Sequence, residues 1–283
     1  MKSETREKRG QGIRRRVTGI SETPKNWQSF LRDGNNKTEL FYFLADKIAE
    51  INTSHTIVIT KRENVVSNQL ISSENLAPCS HEEAETHIFV HARHAAMDGN
   101  KAFVIKANDT DVLVIAIATL SSVQELGLQK MWIMFGQGSS LRCIAVHDIT
   151  SAIGPEKRRR LLFFHAFTGC DVSSAFGGKG KKSAWLTWDV CAEASDVFKK
   201  LSQYPPTVTD EDLKVLEKFV ITMYDRSSTT TCVNDACLDL FARKQRFYEA
   251  IPPTQSALLQ HTKRAAYQEG CVWSQATVCR PEA

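Results

Sequence analysis

Three short clusters of carboxylates, each set against an apolar run, constrain this chain more than any other feature. Glu83 and Glu85 stand in Ser80-His-Glu-Glu-Ala-Glu-Thr86. Asp109 and Asp111 stand in Asn108-Asp-Thr-Asp-Val112, and Asp171 in Phe167-Thr-Gly-Cys-Asp171. An ionised carboxylate is costly to take out of water, so acids beside core segments are paired, protonated or bound to a cation. Acids that converge without a Lys or Arg partner are the chemistry of a hard divalent metal site. A fold that serves such a site must bring three separated segments to one place.

The pattern around the clusters alternates strand and helix. Thr56 to Thr60 is a short β-branched strand. Ser80 with Glu83 three residues on has the spacing of a capping box, which predicts a helix running to about Asp98-Gly99. Ala102 to Ile105 predicts a strand with Asp109-Thr-Asp111 directly after it. Val112 to Leu120 predicts a buried helix, and Met131 to Phe135 and Leu141 to Val146 predict two further strands. Pro155 suits the first turn of a helix carrying Leu161 to Phe164. Strands separated by helical segments argue for an α/β domain with a mainly parallel central sheet and flanking helices. Ligands of such sheets bind beyond the carboxyl ends of the strands, where Asp109 and Asp111 are expected.

Before this region, Trp27 to Ile51 reads as two amphipathic helices around Asp33-Gly-Asn-Asn36. After Tyr204-Pro-Pro206, Leu213, Leu216, Phe219 and Val220 carry helical spacing. The domain reading is therefore a basic flexible arm over residues 1–26, an α/β domain over 27–200 and a helical extension over 201–283.

Between residues 2 and 16, seven Lys and Arg face two Glu, although the whole chain carries only +4. A basic arm of this kind can hold a phosphate backbone, serve as a nuclear address, or simply be a solvated terminus. No apolar run approaches the ~20 residues that span a bilayer, and the start is too polar for a signal peptide. The eight scattered cysteines lack a disulfide framework and read as reduced thiols. A soluble intracellular protein is expected, nuclear in preference to cytoplasmic, with no membrane partner and no small-molecule cofactor.

Each acid also has an ordinary structural use. Glu83 occupies the third position of the capping box, Asp109 can cap the next helix, and Asp171 can be a loop acid. On an ideal helix Glu83 and Glu85 lie about 200° apart, so both reach one site only if the helix start is irregular.

Their order nevertheless resembles the flap endonuclease branch of the PIN-like nuclease superfamily. That branch has an E-A-E motif opening a helix, a D-x-D after the next strand and a G-C-D before a helical hairpin on DNA. The matches are Glu83-Ala-Glu85, Asp109-Thr-Asp111 and Gly169-Cys-Asp171. Gly177-Gly-Lys-Gly-Lys-Lys182 falls where the family has its glycine- and lysine-containing turn, and the likeness covers about residues 80 to 190. A closer likeness, to PIN-like proteins of animals, is carried by Pro24-Lys-Asn-Trp27, Asn36-Lys-Thr-Glu-Leu-Phe41 and His165-Ala-Phe-Thr-Gly-Cys-Asp171, and it covers nearly the whole chain.

The resemblance implies a nuclease-type fold cleaving DNA or RNA phosphodiesters. Glu83, Glu85, Asp109, Asp111 and Asp171 would hold Mg²⁺ or Mn²⁺ in a two-metal mechanism, and Lys179, Lys181 and Lys182 would contact the nucleic-acid backbone. The family also carries an aspartate on a first sheet strand. No strand ending in Asp precedes Thr56, so the expectation is a domain truncated at its N-terminus. The alternative is a catalytically inactive remnant that binds nucleic acid or a partner.

Three further patterns carry weaker signals. His87, His91 and His94 share a helix face, with a zinc-compatible pair at i, i+4 or simply polar filler as the two readings. The run Lys157-Arg-Arg-Arg160 at a helix start suggests phosphate contact or a solvated face. Cys232 and Cys237, and Cys271 and Cys279, lack the tight spacing of a zinc ribbon.

Overall fold

The computed structural model describes residues 14–81, 83–203, 205–244 and 251–280, so the first part of the basic arm, residues 1–13, lies outside it. Two compact units are present, one ending at Ser80 and the other beginning at His81. This division differs from the boundaries expected at residues 26 and 200.

In the first unit, α1 (Trp27–Arg32) and α2 (Gly34–Ala49) meet at Asp33, and a hairpin follows from β1 (Val58–Lys61) and β2 (Asn64–Ser67). Asn26 caps α1 by accepting from the Ser29 N–H at 2.9 Å. Asp33 ends α1 and caps α2, accepting from the N–H groups of Asn35 (2.9 Å) and Asn36 (3.0 Å). These bonds satisfy donors that a helix start leaves open. The helix pair expected around Asp33–Asn36 is therefore built by two short polar caps.

Asn36 is fully buried. Its Oδ1 accepts from Arg14 Nη1 (2.9 Å) and the Arg15 N–H (2.7 Å), and its Nδ2 donates to the Phe30 carbonyl (3.1 Å). Arg14 also pairs with Glu39, whose carboxylate accepts from the Val17 N–H at 3.0 Å. Residues 14–17 are thus pinned to α2 by hydrogen bonds to Asn36 and Glu39.

The second unit is mixed α/β, and 54% of the described residues are helical. Helix α3 (Ala84–Met97) leads into β3 (Ala102–Ala107), and α4 (Thr110–Gln124) crosses to β4 (Lys130–Phe135), which runs parallel to β3. Strand β5 (Arg142–Ala145) then pairs antiparallel with β4, giving the order β3-β4-β5. A mainly parallel sheet was expected, and a three-stranded mixed sheet is found. The reason is the short link between β4 and β5, built on a 3₁₀ turn at Gly138–Ser140. A parallel pair needs a crossover of a dozen or more residues, so this link permits only an antiparallel return.

Helix α5 (Val146–Phe167) contains a break at Gly154, with φ 78° and ψ 165°, and Pro155 opens its second segment as its sequence position predicts. Leu161 through Phe167 are all buried, although a single-face helix would expose some of them. They are covered by α6 (Lys181–Trp188), α7 (Ala192–Leu201), α8 (Asp210–Tyr224) and α10 (Gln255–Tyr267), while α9 (Val233–Lys244) packs against α8. Phe198 of α7 lies 5.2 Å from the Phe163 ring, and Phe219 of α8 lies 6.1 Å from Phe167. Leu213, Leu216, Phe219 and Val220 are buried as their spacing predicts. The expected C-terminal extension thus shares one core with α4 and α5. Among the described residues no helix is long and apolar enough to cross a membrane.

Gly169 ends α5 at φ 108°, and a Cβ there would lie 2.8 Å from the Ala175 Cα. Gly178 has φ 66° but open space around it. Gly169→Ala is therefore expected to lower stability by about 2–4 kcal/mol, and Gly178→Ala by only about 1 kcal/mol, measured as shifts in the urea midpoint.

Candidate functional site

Two of the acids are linked to His165, near the C-terminal end of α5: Asp111 directly and Glu83 through Trp273. His165 interrupts the apolar run Leu-Leu-Phe-Phe-His-Ala-Phe and is itself buried. A buried imidazole needs partners, and here its Nε2 donates to Asp111 Oδ1 at 2.8 Å. Asp111 reaches it because β3 ends at Ala107 and Asp109 caps α4, its Oδ1 accepting from the Asp111 N–H at 2.8 Å. The D-T-D spacing therefore has a local cause: the first aspartate builds the helix start, and the second sits in its first turn. Asn108 adds a tie across the strand ends, its Oδ1 accepting from the Gly136 N–H at 3.2 Å.

Lys181 approaches the same helix end from α6. Its ammonium donates to the His165 carbonyl (2.8 Å), the Thr168 hydroxyl (3.0 Å) and the Gly169 carbonyl (2.6 Å). A cation on the last carbonyls of α5 satisfies open acceptors and complements the helix dipole. Burial pushes the Lys181 ammonium down to about 8, while the charges of Cys170 and Asp111 act in the opposite direction. The motif His165-Ala-Phe-Thr-Gly-Cys-Asp171 is thus a receptor for Lys181 of the glycine- and lysine-rich turn. Sequence reading placed Lys181 on a nucleic-acid backbone; the folded chain turns its ammonium inward.

The E-A-E motif arrives on the opposite side of the imidazole. Glu83 is the residue before α3, but its side chain forms no cap bond and the expected capping box with Ser80 is absent. Its carboxylate instead accepts from Trp273 Nε1 (3.2 Å) and Gln268 Nε2 (3.2 and 3.3 Å to its two oxygens). The Trp273 ring stands 5.6 Å from the His165 ring, completing the path Glu83–Trp273–His165–Asp111. Trp273 and Gln268 belong to a π-helical turn, Gln268–Trp273, that continues α10. Glu85 occupies the first turn of α3 and is half-buried, and Asp171 is exposed.

Among the described residues, no three of the five acids place carboxylate oxygens within 4.8 Å of one another. Asp109 is engaged as a cap, Asp111 by imidazole, and Glu83 by indole and amide. Sequence reasoning quoted His165 only as part of a motif and overlooked Trp273 and Gln268. A histidine inside a run of six apolar neighbours was the available signal for the first; nothing local marks the other two.

The remaining patterns resolve differently. His94 is buried with its Nδ1 3.3 Å from Asp98 Oδ2. Burial holds His87 and His91 below the ordinary imidazole range. The closest imidazole pair with His87 is not on its own helix face: the His81 ring lies 5.4 Å away, two residues after Cys79 in the chain. In the basic run, Arg160 is buried and paired with Glu156, and Lys157 pairs with Asp189 beneath the Trp185 ring. That half of the run serves packing.

Comparison with family profiles, curated proteins and solved structures yields no match.

Two measurements probe this centre. Lys181→Met strands the acceptors at the end of α5 and is expected to lower stability by about 2–3 kcal/mol in denaturant titration. Behind the centre, Glu269 is buried with an unpartnered Oε2, and burial raises its carboxyl to about 8. The native state therefore keeps a proton that the unfolded chain releases near its ordinary value of 4.5. Stability should fall as pH rises between these values, by up to about 1.4 kcal/mol per pH unit. Glu269→Gln is expected to flatten that slope in melts recorded across the range.

Proposed function

We propose that this chain is a nucleic-acid-binding module with a nuclease-like acid centre that holds DNA or RNA through phosphate contacts without cleaving it. The observation that carries this reading is the occupation of the acids by protein donors: His165 on Asp111, Trp273 and Gln268 on Glu83, and a helix start on Asp109. Carboxylates engaged in this way are poorly prepared to hold the paired cations of a two-metal reaction. Mg²⁺ or Mn²⁺ could bind here only if these donors released Asp111 and Glu83.

The contact surface is the turn Gly177–Lys182. It is anchored at both ends, by Tyr224 donating to the Gly177 carbonyl at 2.9 Å and by Lys181 on α5. Lys179 stands 5.2 Å from the Tyr224 ring centre, and Lys182 is exposed without a carboxylate partner among the described residues. A fixed turn presenting two ammonium groups loses little order on meeting a phosphate backbone.

The second reading is divalent-metal-dependent hydrolysis of phosphodiesters. It is favoured by the convergence of Glu83 and Asp111 on one imidazole–indole pair. Incubation with branched and single-stranded DNA and RNA, with Mg²⁺ or Mn²⁺, separates the two. The binding reading expects affinity that falls with salt at about 0.9 logarithmic units per phosphate contact, and no cleavage. Lys179→Gln with Lys182→Gln is expected to reduce that slope by about 2. Cleavage abolished by Asp109→Ala with Asp111→Ala overturns the non-catalytic reading and establishes the second.

A further inference from the structure

The unit ending at Ser80 contains a cavity of about 450 Å³, within the size range of small-molecule sites. Val17, Pro24, Trp27, Phe30, Leu40 and Phe43 supply apolar walls, and Arg15 and Arg16 stand among the lining residues. From this combination we propose that the cavity binds a nucleotide, with the base against Trp27 and the phosphate on the two guanidinium groups.

The cations are the first support. Arg14 is committed to Glu39, and it holds that carboxyl below its usual range. Arg15 and Arg16 are both exposed, and neither forms an ion pair among the described residues. Glu22 is the single carboxylate in the lining, and Glu39, which also feels the charge of Arg16, is already paired with Arg14. A phosphate monoester carries about −1.5 to −2 charges and accepts from several donors, which suits paired guanidinium groups better than the single charge of a carboxylate does.

The aromatic wall is the second. Trp27 contacts Phe30 edge-on at 5.7 Å between ring centres, yet 46% of its surface remains accessible. An indole that keeps this much accessible surface can stack a base, a contact that contributes about 1–3 kcal/mol.

The cavity is also preformed. Asn36 fixes the backbone at Arg15, and Glu39 fixes it at Val17. Ser21 closes the loop, its N–H donating to the Thr18 carbonyl at 3.0 Å and its hydroxyl to the Arg16 carbonyl at 3.1 Å. Little ordering cost is left for binding. The cavity belongs to the first unit and the Gly177–Lys182 turn to the second, and the proposal does not depend on the polymer binding proposed for that turn.

Calorimetric titration of the full chain with adenosine 5′-monophosphate tests the proposal, with adenosine, inorganic phosphate and an acidic, aromatic-containing peptide as parallel probes. The nucleotide is expected to bind more tightly than adenosine or phosphate alone. Trp27→Ala should weaken it by about tenfold, and Arg15→Gln with Arg16→Gln by about tenfold or more. Lys179→Gln with Lys182→Gln should leave it unchanged, which separates failure here from failure at the turn. The arginine variant keeps its exposed positions, so it reports on binding even if Trp27→Ala fails to fold. Equal binding of nucleotide and inorganic phosphate, an affinity indifferent to both variants, or tighter binding of the peptide overturns the proposal.

Discussion

The bond between His165 and Asp111 organises the second unit. It joins the end of the longest helix to the helix start that follows β3, and it does so at 4% exposure of the imidazole residue. Within a core of phenylalanine and tryptophan rings, that polar pair has few alternative arrangements, because an unmatched buried polar group is expensive. The carbonyl of the same His165 receives Lys181, and its ring faces Trp273. One residue therefore holds three chain segments in register: α4, α6 and the π-helical turn after α10.

The same arrangement accounts for how the acids are used. Asp109, Asp111 and Glu83 each accept from protein donors, and these bonds build helix starts and tie distant segments together. The motifs resemble those of metal-dependent nucleases, but identical letters can serve a different chemistry once their neighbours are specified. Imidazole and indole donors beside a carboxylate stabilise its charge without a cation. The basic turn is tied to the same centre, because Lys181 donates to the His165 carbonyl.

Much of the architecture was legible locally. Asp33 and Asn26 announce helix starts, Pro155 opens the second half of α5, and the spacing of Leu213 to Val220 describes the buried face of α8. The antiparallel β5 was legible too, in the shortness of the link after Phe135, although strand alternation alone suggests a parallel sheet. The capping box at Ser80 was a local pattern overridden from outside: Trp273 and Gln268, more than 180 residues downstream, take the Glu83 carboxylate. Likewise Asn36 looks like an ordinary polar residue of α2 until Arg14 and Arg15 are seen to converge on it.

The sequence by itself determined most of the elements, the order of the acid motifs and several helix starts, because caps, turns and apolar periodicity act over a few residues. Only the tertiary structure decided what each carboxylate and lysine does. Asp111 became a partner of imidazole, Lys181 a cap on α5, and Glu83 an acceptor for indole, since long-range packing selects which donors stand within hydrogen-bonding reach of a charge. Burial then makes those choices binding: a charge withdrawn from water must take the partner that the fold provides.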